Sequence, residues 1–372
     1  MKIEKSKLSK ALKQIGIFIK KNSPDHNASL VHFKNKNGKA TIFATDLASA
    51  GRVYFETGFD EPFEFCVDYS QLLQTTRIRS KEINAEIITT DDVESKKAVL
   101  FSDDSSKFLC ALRDTAELDE IEQKAVIPSG DALVLTGKDF KEGIKEGGYA
   151  RNEKATDKAF ALGVNVSCDE DGTLEIASLD NKRIACWKKK LNANFAKMSG
   201  MLGPRALQAI GLFDDDEEIR VYIDNTKIVL VSPTYEAYTT RLQCNFPNFK
   251  PFFEKEVLSV YEVTKSEVNE SLAIAVSDAF MSDSLDLSFN GEVAKLLSTN
   301  AKGEKVEDGF GCRKISGKDE NVSLCAKYFS DVFHFVGGEK ISFEFREMGN
   351  GAEMVSYSAE DGSYGLIAPR QK

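Results

Sequence analysis

The feature that most constrains this chain is a short cassette that recurs three times. Each copy opens on a glycine, runs on as an alternating apolar strand and ends on an acidic or amide residue. The copies are Gly38 to Asp46 (GKATIFATD), Gly172 to Asp180 (GTLEIASLD) and Gly291 to Asn300 (GEVAKLLSTN). They start 134 residues (38 to 172) and 119 residues (172 to 291) apart, close to one third of the 372-residue chain. A period of that length predicts three similar domains. Breaks are expected near 125, at EQKAVIPSGD, and near 254, after NFPNFKPFFEK, giving domains 1–125, 126–254 and 255–372.

A second cassette joins a strand to a short helix. It reads FEFCVDYSQLL at 63–73 and VSLCAKYFSDV at 322–332, which sets Cys66 against Cys325 and Tyr69 against Tyr328. A looser middle copy runs from Ala196 to Ile210. Strand-like segments follow, such as INAEIITT, KKAVLFS and KFLCAL in the first third and IRVYIDN, KIVLVSP and AYTTRLQC in the second.

Each third also opens on an amphipathic helix. In the first, Leu8, Ala11, Leu12, Ile15 and Ile19 share one face and Lys10, Lys13, Lys20 and Lys21 the opposite one. In the third, Thr264 and Glu267 predict a capping box ahead of Val268, Leu272, Ala275, Val276 and Ala279. The fold class is α+β.

The formal net charge of −10 argues against nucleic acid, since a duplex is itself a dense line of negative charge. The distribution is uneven: residues 1–21 hold seven lysines against the single Glu4. Seven scattered cysteines form no CxxC pair and read as reduced core residues. His26, His32 and His334 are far apart, so neither a metal site nor a Cys-His nucleophile has local support. No GxxxxGK loop occurs, and the amino terminus has no apolar export segment. The reading is a non-enzyme of the cytoplasm with no cofactor, no metal and no membrane association.

Four segments, GKATIFATDLASAGRV (38–53), LDNKRIA (179–185), FPNF (246–249) and LIAPR (366–370), together resemble the bacterial-type sliding clamp, the beta subunit of DNA polymerase III, over the whole chain. There are departures. The family's Thr-Asp-Gly-His-Arg-Leu run is Leu179 to Ile184 here, and Asn248 and Phe249 stand where Asp and Tyr are common. The resemblance implies three clamp domains, each with two helices facing a central hole and antiparallel sheets outside. Two chains would close head to tail around duplex DNA, bound without sequence preference. DNA polymerase and clamp loader would dock through short hydrophobic peptides.

The residues expected to face DNA are Lys10, Lys13, Lys20, Lys21, Arg77, Arg79 and Lys81, with Lys138, Lys141, Lys145 and Arg151 as their second-domain counterparts. Gly143, Gly147 and Gly148 disfavour a helix there by about 1 kcal/mol each relative to Ala. In the third domain Lys265 is outnumbered by Glu267, Glu270 and Asp278, so little DNA contact is expected from it. The family's peptide groove maps to Leu179, Arg183, Ile184, Pro247, Phe252, Leu366, Ile367, Ala368 and Pro369, with Arg183 holding an acidic or carbonyl group of the peptide. Residues Leu366 to Lys372 are expected to serve that groove rather than the core. The dimer joint is assigned to the edge strand Phe108 to Cys110 and to Ile274. The alternatives are a clamp-like scaffold that does not encircle DNA and, behind it, an enzyme using a low-pKa thiol.

Overall fold

Turn chemistry cuts this chain into strands at regular intervals. In the computed structural model, which describes residues 1–152, 154, 158–191, 197–276, 282–348 and 353–370, Gly38, Gly172 and Gly291 all have positive φ, at 76°, 81° and 65°. That region favours glycine, so each cassette opens on the residue best able to make the turn. Each cassette closes on a side chain that caps the next turn. Asp46 Oδ1 accepts the Ala48 and Ser49 N–H groups, Asp180 Oδ1 those of Lys182 and Arg183, and Asn300 Oδ1 those of Lys302 and Glu304.

The elements then fall into three series. The first is β1 Lys2–Glu4, α1 Lys5–Ile15, β2 Leu30–Lys36, β3 Lys39–Thr45, β4 Ala50–Glu56, β5 Phe63–Asp68, α2 Tyr69–Thr75, β6 Glu82–Thr89, β7 Lys97–Ser102 and β8 Lys107–Ala111, followed by α3 Ala116–Lys124. The second is β9 Leu133–Thr136, α4 Gly137–Gly147, β10 Val164–Cys168, β11 Thr173–Leu179, β12 Arg183–Lys190, β13 Met198–Leu202, α5 Pro204–Ile210, β14 Glu218–Ile223, β15 Lys227–Val231 and β16 Tyr235–Thr240, followed by α6 Lys250–Phe253. The third is β17 Val257–Thr264, α7 Lys265–Ala275, β18 Ser282–Asn290, β19 Val293–Asn300, β20 Lys305–Ser316, β21 Glu320–Cys325, α8 Ala326–Phe335, β22 Lys340–Glu347, β23 Glu353–Ala359 and β24 Ser363–Ile367.

Pairing repeats with an offset of eight strands. The order β1-β6-β7-β8 recurs as β9-β14-β15-β16 and β17-β22-β23-β24, and β5-β2-β3-β4 recurs as β13-β10-β11-β12 and β21-β18-β19-β20. All described pairs are antiparallel. One compact unit, Met1–Phe140 with Gly203–Arg241, holds a four-stranded sheet and an eight-stranded sheet in which β4 pairs β16. The other, Lys141–Leu202 with Leu242–Lys372, holds a twelve-stranded sheet in which β12 pairs β24.

Several sequence expectations are corrected at this level. Ile19 and the lysines after it do not belong to α1. The helix ends at Ile15, a 3₁₀ turn follows, and Phe18 takes the buried place. Helix α4 forms in spite of its glycines because they let it lie close to its sheet. A Cβ on Gly143 would stand 2.5 Å from Ile176 Cδ1, and one on Gly147 would stand 2.2 Å from the Ile176 carbonyl oxygen. The capping box of α7 does not form. Thr264 makes no side-chain cap, Glu267 accepts the Gly311 N–H instead, and Glu339 caps the helix by accepting the Lys265 and Ser266 N–H groups. Val268, Leu272 and Ala275 are buried as expected, while Asp278 and Ala279, like Ala196, lie outside the described residues. Helix starts match Asp68 with Cys325, so equating Cys66 with Cys325 is two residues out of register.

Candidate nucleic-acid interface and partner groove

In the first unit, α1 turns Leu8, Ala11, Leu12 and Ile15 inward and leaves Lys10 and Lys13 exposed. Lys10 is already paired with Asp214, which removes it from the set of free cations. The start of α1 is tied to the loop after α2: Lys5 N–H donates to the Lys81 carbonyl and Lys5 Nζ to the Ile78 carbonyl. Arg77, Arg79 and Lys81 therefore lie beside α1, and Tyr69 of α2 donates to the Leu12 carbonyl at 3.2 Å. Lys13, Lys20, Lys21, Arg77, Arg79, Lys81 and Lys138 are exposed, with no carboxylate partner among the described residues.

In the second unit, Lys145 is exposed and likewise unpaired among the described residues, whereas Lys141 and Arg151 are half-buried and engaged. On α7, Lys265 is spent on the Val336 carbonyl while Glu267 and Glu270 are exposed.

Three distant segments of the second unit converge as the sequence suggested. Leu179, Ile184 and Leu366, exposed by only 7, 7 and 6%, pack with Ala177, Cys186, Phe249 and Met354. Phe160, Phe246, Phe253 and Tyr364 flank them, and Phe246, Phe249, Phe253 and Tyr364 form a chain of edge-to-face contacts 5.2–6.1 Å apart. Phe249 and Phe253 were missed as site residues, although the aromatic spacing 246, 249, 253 is the helical signal that could have found them. Pro247, Ala368 and Pro369 are half-buried and Phe252 is 41% exposed.

Two assignments to this groove are overturned. Ile367 points to the opposite face and joins the core around Phe329 and Phe343. Arg183 is buried between its own partners: Nε donates to Asp180 at 3.2 Å, Nη1 to Asp331, and the guanidinium lies 4.5 Å from the centre of the Tyr328 ring. Two carboxylates already neutralise its charge, so it is not a free cation waiting for an incoming acid. The carboxyl-terminal segment is structural too. Leu366 and Ile367 belong to β24, which is hydrogen-bonded to β12 on one side and β23 on the other.

By sequence, no family and no curated protein matches the chain. Solved structures do match along its full length. The beta subunit of DNA polymerase from Streptococcus pyogenes aligns at 16% identity with a TM-score of 0.86, covering 100% of this chain and 99% of that one. The Helicobacter pylori beta clamp, bound to a DNA ligase peptide, aligns at 18% and 0.85 with full coverage of both. A Pseudomonas aeruginosa sliding clamp bound to griselimycin aligns at 14% and 0.85, covering 100% and 99%.

The chain has the sliding-clamp fold.

Within that fold Cys66, Cys110, Cys168, Cys186 and Cys312 are buried. Burial pushes the Cys66 thiol up to about 12 and the Cys110 thiol up to about 11, so neither is a nucleophile at neutral pH. Cys110 lies on β8, an edge strand of this clamp fold, with its side chain turned into the core. Only its backbone is open to a joint, whereas Ile274 is 58% exposed on α7. Among the described residues no helix is long and apolar enough to cross a membrane.

Proposed function

We propose that the chain works as a DNA sliding clamp, a ring that encircles duplex DNA and tethers a polymerase without catalysing a reaction itself. One observation carries the reading. The repeat joins β4 to β16 and β12 to β24, and the next member of the series would join β20 to a β8. Both those edges are open: β8 ends its sheet, and β20 from Lys305 to Gly311 pairs only β19 among the described residues. A second copy supplies both missing partners at once, giving a closed head-to-tail dimer of six repeats. Lys13, Lys20, Lys21, Arg77, Arg79 and Lys81, exposed and without a carboxylate partner among the described residues, suit the inner wall of such a ring. Contact with phosphate alone holds DNA without reading it and so permits sliding.

The domains run 1–125, 126–254 and 255–372, a division supported by α3 and α6 ending at Lys124 and Phe253. The apolar cluster around Leu179, Ile184, Leu366 and Phe249, with Phe253 at its rim and Phe252 outside, is the docking place for short hydrophobic peptides of the polymerase and its loader. The protein acts in the cytoplasm.

Light scattering decides assembly: a mass near twice 41.2 kDa at micromolar concentration, with retention on nicked circular duplex that linearisation abolishes, is the expected result. A monomer indifferent to circularity would leave a clamp-like scaffold as the correct reading.

A further inference from the structure

His32 lies on β2, fully buried against α3, and its two ring nitrogens meet different surroundings. Nε2 is 2.8 Å from Glu64 Oε1. A carboxylate oxygen only accepts, so Nε2 is the donor in this bond. Nδ1 makes no hydrogen bond. It faces two further acceptors, Glu122 Oε2 at 3.4 Å and Asp119 Oδ1 at 3.5 Å. Two carboxylate oxygens crowded on one fully buried ring nitrogen are unfavourable unless a cation lies among them. At present Lys34 supplies one, its ammonium 2.9 Å from both carboxylates.

We propose that His32, Asp119 and Glu122 form a binding site for a divalent cation of the zinc or cobalt class, with Glu64 orienting the imidazole. The separations from Nδ1 fit. Donors about 2.0–2.1 Å from a tetrahedral metal lie roughly 3.3–3.4 Å from one another, the spacing found between Nδ1 and the two carboxylate oxygens. A carboxylate behind the far ring nitrogen is the usual means of fixing a ligand histidine. The Lys34 side chain is 36% exposed, so its ammonium can swing into water and leave the position to the ion. One nitrogen with two oxygens favours a borderline cation over magnesium, which demands an octahedron of oxygens and keeps its waters. The bound ion would fasten α3, the segment that follows the first series of strands, to the sheet beneath it. The spacing 32, 64, 119, 122 is unlike any local ligand motif, which is why the sequence gives no sign of it.

The test uses the tag-free full chain, titrated with Zn²⁺ by calorimetry and with Co²⁺ by visible absorption. One ion per chain is expected, with the ligand-field bands of a low-coordinate Co²⁺ site. Asp119→Asn should weaken binding about tenfold or more, and Lys34→Met, which removes the competing charge, should tighten it roughly tenfold. The second variant gains rather than loses a property, so a folding defect cannot imitate it. No stoichiometric binding by either the unaltered chain or Lys34→Met would overturn the assignment. So would affinity unchanged by both Asp119→Asn and His32→Gln, or Mg²⁺ binding as tightly as Zn²⁺.

Discussion

Arg183 and Glu146 show how far single residues of the second unit depend on distant neighbours. Arg183 and Asp331 are 148 residues apart in sequence and both nearly buried, and each helps to neutralise the other, with Asp180 and Lys327 as their further partners. Arg183→Ala should destabilise the chain by about 1–3 kcal/mol, read from the urea midpoint, because Asp331 then keeps only the largely exposed Lys327 as a partner. The basic character of Arg183 was legible in LDNKRIA; its partner was not, since nothing local in the sequence ties it to Asp331. Glu146 on α4 is the opposite case. Burial pushes its carboxyl up to about 7, with Asp361 and Glu142 adding to the rise and a hydrogen bond from Ser363 opposing it. Its folded pKa is therefore above the unfolded value near 4.3. The folded state binds the extra proton between these values, so this stabilisation is complete below about 4.3 and is lost as pH rises through about 7. Glu146→Gln is expected to raise the melting temperature at pH 8 by a few degrees, to leave it unchanged at pH 4, and so to flatten the pH profile between. An unchanged profile would mean that Glu146 is not the titrating group.

Elements were legible where their chemistry is local. The three glycine cassettes could be read because a positive φ and an Asx turn are each settled within a few residues of Gly38, Gly172 and Gly291. Helix α4 was expected but counted as weakened by its glycines, because the reason for them, Ile176 and Trp187, lies 29 to 44 residues further on. The same holds for α7, whose cap is Glu339, and for β24, whose LIAPR was expected to serve the groove rather than the core although its place is between two strands. The tail should therefore behave as core. Deleting Leu366 to Lys372 is expected to abolish cooperative unfolding, since it removes part of β24 and the burial of Leu366 and Ile367, worth roughly 1.5–3 kcal/mol each. Exposed Phe252 is the better probe of peptide docking. Phe252→Ala should shift stability by no more than about 0.5 kcal/mol while weakening a short hydrophobic polymerase-tail peptide in calorimetry. Equal affinity in the two proteins would place the peptide elsewhere.

At the scale of the whole molecule the puzzle is a protein of net charge −10 proposed to hold DNA. Coulomb attraction at physiological salt fades within about 8 Å, so a phosphate responds to the cations beside it rather than to the total. What matters is which cations are exposed and unpaired, and this the sequence could not give: Lys10 looked equivalent to Lys13 until Asp214 was found beside it. The informative substitution therefore leaves Lys10 alone and changes Lys13, Lys20, Arg77 and Arg79 to Glu. None of the four has a carboxylate partner among the described residues, so their loss breaks no ion pair of the fold. Retention on nicked circular duplex should fall to a similar degree for every sequence. The slope of log affinity against log salt should become shallower by roughly 0.9 for each phosphate contact removed, and the solution mass should stay that of the unaltered protein. An unchanged slope would move the DNA-facing surface away from α1 and α2. A fall confined to some sequences would mean that the contacts read bases, which a ring that slides cannot do.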